Sequence, residues 1–419
     1  MVIRGLLAVL CLLNAALAVL VAAPLPRVPA LVAVAVAVTS WSLTLVPPAL
    51  LGLAAAVCAA RRCPWWAGAA ALTAFAALVY GVMPYAAAYR TAERHGATLD
   101  LGTYVSGGVN YAKTPARGRG ITYARPGGER VRLDLWTLPA LPAVRRPAVV
   151  WVHGGGWNKG HRSQSPRWNR WLNARGWSVF DIDYRLAPRV TQLDQIRDVR
   201  CAVRWVRRHA RTYGVDPERL VLAGSSAGGN LALAAAYARA PSSHTPGAPR
   251  AAGTKSEHHT RSACAMRDRP VAGVVSLYGP TDMRRLIERT VLRADPLMPR
   301  LMGGSAAGAP ERYRLGSPAR LVHRRVPPTL LLHGGADRAV PVAQARDLAR
   351  RLAAAGAPAT YVELPWADHC FDVNWGGWAS QVARGVLGRF LDRIAGRPPA
   401  PAVSPAGRMS VNGPGITDS

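Results

Sequence analysis

Acidic side chains are scarce in this sequence: Asp and Glu number 23 against 53 Lys and Arg, a formal net charge of +30 over 419 residues. An excess of that sign attracts nucleic acid or anionic lipid headgroups. No nucleic-acid module accompanies it, however, because the arginines are scattered through helical and loop patterns and not interleaved with a stacking platform. A solvated basic surface is the reading, and no nucleic-acid partner is expected. Cysteine offers as little. Cys11, Cys58 and Cys63 lie in or beside apolar runs, while Cys201, Cys264 and Cys370 are far apart. There is no CxxC and no metal-ligand spacing, so no metal centre is expected, and one disulfide is compatible with the sequence but not implied by it. Phosphate-binding loops are missing too, since neither G-x-x-x-x-G-K-[ST] nor G-x-G-x-x-G occurs. No internal repeat is found.

Charge is almost absent from the first hundred residues, which hold six arginines (Arg4, Arg27, Arg61, Arg62, Arg90, Arg94) against Glu93 and Asp100. Three apolar runs, Gly5 to Ala23, Val28 to Ala60 and Pro64 to Tyr89, are each long enough to cross a hydrocarbon core of roughly 30 Å as a helix. Residues 1–101 therefore predict a transmembrane helical segment of about three spans. Pro47 and Pro48 kink or divide the middle run. The rival reading of the first run is a cleaved signal peptide after Arg4. Pro24 directly after Ala22 and Ala23 opposes cleavage there, and two further runs would still hold the chain in the membrane. With three spans, Arg4, Arg61 and Arg62 share one side, while Arg27, Arg90 and Arg94 share the other with the rest of the chain, a tie on arginines alone. The amino terminus tips it, so the first span favours a cytoplasmic N-terminus and an extracytoplasmic downstream domain.

From about Gly102 the texture changes. GITYARPGGERVRLDLWTLP, Gly120 to Pro139, reads as a hairpin around Pro126-Gly127-Gly128. Strand candidates follow at Ala148 to His153, Trp177 to Asp183, Leu220 to Gly224, Val271 to Gly279, Thr329 to Gly334 and Thr360 to Pro365. Helical patterns separate them, such as Leu193, Ile196, Val199, Val203 and Val206. Apolar strands with helices between them predict an α/β domain, a mostly parallel doubly wound sheet, over residues 102–396. Residues 241–270, rich in Pro, Gly and Ser, read as a mobile insertion. His258 and His259 within it lack the partners a metal needs. The stretch 283–328, with a helical pattern at Leu286, Ile287, Val291 and Leu292, is a candidate lid or acyl-pocket wall. Residues 397–419 have too little apolar content to fold and are expected to be disordered.

Gly224-Ser225-Ser226-Ala227-Gly228 fits G-x-S-x-G between a strand and an alanine-rich helix, a turn that exposes its central serine, Ser226. The simplest reading of such a cluster is a turn or helix cap. A nucleophilic serine also needs a base, and the base an orienting acid, following in chain order beyond later strands. Asp337 lies directly beyond the strand TLLLHG, and His369 beyond TYVELP. Three glycines after the strand of VVWVHGGGWNKG can aim their N–H groups at a developing oxyanion without Cβ obstruction, and the Ala227 N–H completes the set. Asp282 is an alternative acid. Asp368 is a poor one, because side chains adjacent in sequence rarely face each other. Trp157 and Trp366 flank these loops, where they could line a pocket; buried tryptophans are more often core, and neither is counted as a site residue.

These pieces resemble the α/β-hydrolase superfamily, and within it the hormone-sensitive-lipase-like and BD-FAE-like carboxylesterases. The resemblance rests on HGGGW (His153 to Trp157), DYRLAP (Asp183 to Pro188), the run from Asp216 to Asn230 ending in SAGGN, HG-x-x-D (His333 to Asp337) and the late Asp368-His369, and covers roughly Gly102 to Gly396. It implies Ser226 as nucleophile, Asp337 as acid, His369 as base, Gly155, Gly156 and Ala227 as oxyanion donors, and His153 as a brace for the glycine loop. Many relatives carry an acidic residue where this chain has Ser225, and the usual N-terminal cap is replaced by the apolar segment. The function expected is a membrane-embedded serine hydrolase acting on small-molecule or lipid esters through an acyl-enzyme, without a cofactor. An amidase, formamidase or peptidase with the same triad is the alternative, and a non-catalytic membrane scaffold the reading from another class. The sequence carries no signal for oligomeric state.

Overall fold

The computed structural model describes residues 2–22, 29–110, 118–137, 145–238, 269–290 and 295–397. All of the expected insertion 241–270 but its last two residues, and all of the expected tail but Arg397, lie outside them. The front end is helical: α1 (Val2–Ala22), α2 (Pro29–Ser40), a 3-10 turn (Ser42–Leu45), α3 (Val46–Ala59) and α4 (Pro64–Arg94). Among the described residues, three stretches are long and apolar enough to cross a membrane: Val2–Leu20, Ser42–Ala59 and Pro64–Arg94. The middle run is thus divided, and its candidate span begins at Ser42, not Val28. Pro47 and Pro48 sit in the first turn of α3, where a missing N–H costs nothing, and so start a helix where the sequence also allowed a kink. The third helix runs past Tyr89 to Arg94, because its last turns pack on protein.

Small residues bring the three long helices together. Gly52 lies so close to Asn14 and Ala74 that an added Cβ would meet them at 2.8 and 3.0 Å. Leu7, Ala56, Ala59, Ala67 and Ala70 form a buried cluster. Large apolar side chains point outward instead, among them Leu12, Leu51, Val57, Leu72 and Phe75. Small residues inside and large apolar ones outside is the pattern of helices packed in lipid.

After the short α5 (Leu101–Ser106) comes an eight-stranded sheet in the order β1-β2-β4-β3-β5-β6-β7-β8. Its strands are β1 (Gly118–Ala124), β2 (Val131–Trp136), β3 (Arg146–Val152), β4 (Ser178–Ile182), β5 (Val215–Ser225), β6 (Gly273–Leu277), β7 (Thr329–Gly334) and β8 (Ala359–Leu364). The β1–β2 and β2–β4 pairs are antiparallel and every other pair is parallel. The helices are α6 (Pro166–Ala174), α7 (Gln192–Arg208), α8 (Ala227–Tyr237), α9 (Met283–Arg289), α10 (Leu297–Met302), α11 (Pro310–Leu315), α12 (Ala343–Ala354) and α13 (Trp378–Ala395).

Strand side chains alternate between two cores. Val150 and Val152 face α7 and α8 in one. Val149 and Trp151 face α6 and α13 in the other, which also takes in Ala88 and Ala92 from the end of α4. The connection between β6 and β7 is built from α9, α10 and α11, whose Leu286, Met298, Leu301 and Met302 join the first core; Val291 and Leu292 lie outside the described residues. Cys201, on α7, is disulfide-bonded, while Cys11, Cys58, Cys63 and Cys370 are free.

Candidate active site

The parallel register places the functional loops side by side. Val152 pairs with Gly224, Ser225 with Leu277, and Gly334 with Leu364, so the chain leaves β3, β5, β7 and β8 at one edge of the sheet. Ligands of open α/β sheets bind at such carboxyl edges.

Ser226 joins β5 directly to α8 with φ +51° and ψ −122°, a conformation costly for a non-glycine residue. Two bonds hold it there: its N–H donates to the Leu277 carbonyl at 2.9 Å, and its own carbonyl accepts from the Asn230 N–H at 3.0 Å. The flanking glycines are obligatory. A Cβ on Gly224 would approach the Gly228 carbonyl oxygen to 2.5 Å, and one on Gly228 would approach that of Val152 to 2.2 Å.

His369 brings the three sequence candidates together. Its Nε2 is 2.9 Å from Ser226 Oγ and its Nδ1 is 2.8 Å from Asp337 Oδ2. Asp337 is buried, and its Oδ1 accepts from the N–H groups of Ala339 and Val340 at 2.9 and 2.7 Å. Burial alone would raise this carboxyl, but the facing His369 and the neighbouring His333 hold it well below the usual carboxylate range. Burial likewise disfavours a charged His369 ring, yet Asp337 outweighs it and lifts the imidazole well above the usual histidine range.

The other two aspartates are occupied elsewhere. Asp282 caps α9 by accepting from the Arg285 N–H at 3.1 Å and pairs with Arg320 at 3.2 Å. Asp368 accepts from the N–H groups of His369 and Arg338, at 2.7 and 2.9 Å, and pairs with the Arg338 guanidinium.

The glycine loop lies against the Ser226 turn, so that a Cβ on Gly154 would meet the Ser226 Cβ at 3.3 Å. Gly155 and Gly156 have φ of +117° and +59°. His153 is bonded through Nδ1 to the Gly154 carbonyl at 2.7 Å and stacks on Tyr184 with centroids 4.3 Å apart. Burial lowers its pKa to about 4, so the ring is neutral. Trp157 is buried, and its carbonyl accepts from Gln195 at 2.8 Å, while Trp366 faces Tyr80 of α4 with centroids 6.0 Å apart.

Sequence reasoning missed a buried group behind His369. Tyr278, in LYGP with φ +43°, sets its ring 4.7 Å from the His369 ring and donates its hydroxyl to Asp372. Asp372 also accepts from Trp168 Nε1 at 2.7 Å, and burial raises its pKa. The positive φ at Tyr278 has no marker in the sequence, since glycine is the usual sign of that conformation.

Comparison with known proteins bears on the family and the fold. Residues 133–352 match the family model described as BD-FAE. "Probable carboxylic ester hydrolase LipM" of Mycobacterium tuberculosis is 32% identical over 332 residues, covering 74% of this chain and 73% of that protein. "Esterase LipQ" of the same organism is 33% identical, covering 65% of this chain and 61% of the relative. The apo form of Thermogutta terrifontis esterase 2 superposes with a TM-score of 0.53 at 26% identity, covering 69% of this chain and 98% of that one.

Proposed function

Since the chain belongs to the BD-FAE family of α/β-hydrolases, we propose that it is a membrane-anchored serine carboxylesterase cleaving small-molecule or lipid esters through an acyl-enzyme. The observation that carries this reading is the continuous hydrogen-bond line from Ser226 Oγ through His369 to Asp337, at 2.9 and 2.8 Å. In its neutral form, with its proton on Nδ1 donated to Asp337, His369 presents a bare Nε2 to the serine hydroxyl. Nε2 takes that proton as Oγ attacks the ester carbonyl carbon, and the carbonyl oxygen becomes an oxyanion. The N–H groups of Gly155, Gly156 and Ala227 receive it, each such donor being worth about 3–4 kcal/mol of transition-state stabilisation. Collapse breaks the ester C–O bond, and His369 returns the proton to the departing alkoxide. Water then attacks the acyl-Ser226 by the same route, releasing the carboxylic acid and the free serine.

Two features support an anchored, extracytoplasmic enzyme. The three apolar helices expose large apolar side chains around a core of small ones. The disulfide at Cys201 suits an oxidising compartment. The test is a panel of purified-protein rates on acyl esters of graded length beside matched acyl amides and formamides, together with fluorophosphonate labelling. Rapid ester turnover with labelling at Ser226 is expected. Faster amide turnover would move the reading to an amidase, and neither turnover nor labelling would leave a scaffold.

A further inference from the structure

The linker leaving α4, Gly96 to Asp100, crosses α13 and forms one wall of a cleft of about 340 Å3. Trp171, Arg175, Gln381, Arg384 and Arg389 line the rest. Small-molecule sites occupy about 300–1,000 Å3, so a headgroup-sized ligand fits. The charges are unbalanced. Two carboxylates reach the cleft and both are engaged: Asp392 pairs with Arg175 at 2.7 Å, and Asp100 accepts from the N–H and hydroxyl of Thr103 at 2.7 and 2.6 Å.

Arg384 and Arg389 have no carboxylate within ion-pair distance among the described residues. Arg384 lies over the Trp375 ring, 4.2 Å from its centroid, and donates to the Trp375 carbonyl at 2.5 Å and to Ser380 Oγ at 2.9 Å. Burial, with Arg167 nearby, lowers its pKa to about 10, which leaves it charged at neutral pH. Arg389 donates through Nη1 to the Gly96 carbonyl, while its Nη2, like the Nε of Arg175, is buried without a partner. Guanidinium groups with no counter-ion among the described residues, Arg384 largely buried and Arg389 partly so, match the oxygens of a phosphate ester, which accept such forks in pairs.

We propose that this cleft binds a phosphate-bearing anion, namely the headgroup of an acidic phospholipid in the leaflet from which α4 emerges. The anion chemistry follows from the arginines; the lipid source rests on the membrane-anchored reading above. A free phosphate ester has the same chemistry, and the experiment separates the two.

Full-length protein in neutral detergent is examined by native mass spectrometry with phosphatidylglycerol or phosphatidylcholine of matched chains, and with glycerol phosphate as competitor. Phosphatidylglycerol should be retained over phosphatidylcholine and displaced by excess glycerol phosphate. Arg384→Gln and Arg389→Gln should each weaken retention about tenfold, and Arg389→Lys should restore part of it. Hydrolysis of a short soluble ester, unchanged in all three variants, reports folding and keeps the result separate from the esterase reading. Because Arg389 bonds only a surface carbonyl, its variant remains informative if the Arg384 variant fails to fold. Glycerol phosphate binding as tightly as the lipid upholds the anion site and overturns the lipid source. Equal retention of both lipids without competition, or retention unaffected by Arg389→Gln, overturns the proposal and leaves Arg389 as a cap on the Gly96 carbonyl.

Discussion

Replacing Asp337 by Asn separates the proposed acid from its rival. The change removes one charge at nearly constant shape. Oδ1 can still accept from Ala339 and Val340, so the loop after β7 has reason to stay in place. What changes is the atom facing His369 Nδ1. An amide nitrogen there donates, so the ring must put its proton on Nε2, the atom that should receive the serine proton. A carboxylate that stabilises the imidazolium is lost as well. A wrong tautomer of this kind costs about 10³–10⁴ in kcat, equivalent to about 4–5.5 kcal/mol at 1.36 kcal/mol per decade.

Asp282→Asn makes the same chemical change in a residue that caps α9 and pairs with the half-exposed Arg320. Asn also caps helices, and a partly exposed pair contributes at most about 1 kcal/mol, so kcat should stay within a fewfold. The pH profile adds a second reading. His369 works as a base only when neutral, so activity is lost as pH falls through its pKa. Asp337 holds that pKa up. In Asp337→Asn the acidic limb of kcat/KM should therefore move to lower pH while the plateau drops. Steady-state rates on a soluble ester from pH 5 to 9 measure both effects. A larger loss in Asp282→Asn than in Asp337→Asn, or an acidic limb that moves upward, would refute the assignment.

Ser226→Ala should abolish fluorophosphonate labelling, whereas Ser225→Ala should leave it; the reverse pattern moves the nucleophile by one residue. Gly228→Ala should destabilise the domain by more than about 2 kcal/mol, seen in a denaturant melt, because its Cβ would lie 2.2 Å from the Val152 carbonyl oxygen inside the sheet edge. The depressed Asp337 carboxyl contributes stability that is fully present above its unfolded pKa, about 4, and is lost as pH falls below it. Thermal melts of the wild type should accordingly drop more steeply below pH 4 than those of Asp337→Asn. Protease added to intact spheroplasts should digest the hydrolase domain, and protection until lysis would place it in the cytoplasm.

The site was legible because each of its loops follows a strand with its own local signal. Three successive leucines, Leu330 to Leu332, followed by His333 and two glycines mark Thr329–Gly334, and it is β7 with the bounds the sequence suggests. Gly224 and Gly228 mark the Ser226 turn, since only glycine fits at both places. Asp372 had no such marker. Its partners Trp168, Tyr278 and Asn110 lie 204, 94 and 262 residues away in the chain, and only the closed sheet brings them together. The division of the middle apolar run was hidden for another reason: α2 is as apolar as α3, so hydropathy gives no sign of the turn at Trp41. The third apolar run ends at Tyr89 while α4 continues to Arg94, because Arg90, Glu93 and Arg94 end an apolar run without ending a helix.

That overrun shows how the two parts of the chain are joined. A helix of 31 residues is about 46 Å long, against roughly 30 Å of hydrocarbon, so about ten residues of α4 extend past the proposed hydrocarbon core into the headgroup layer and the enzyme. One stripe of mostly small buried residues runs its whole length, Ala67, Ala70, Ala74, Ala77, Gly81, Pro84, Ala88 and Thr91. The first part of the stripe packs on α1 and α3, and the last part packs on α13 and the second core of the sheet. No flexible hinge separates anchor from enzyme along this face. The contacts also reach the functional loops: Arg338, next to Asp337, donates to the Leu20 carbonyl at the end of α1, and Asn374, five residues after His369, donates to the Ser40 carbonyl at the end of α2. With the helices in a bilayer as proposed, a domain held at several points around the proposed acid and base loops cannot tumble freely above it. Its orientation to that lipid surface would then be set by the same contacts that support His369 and Asp337.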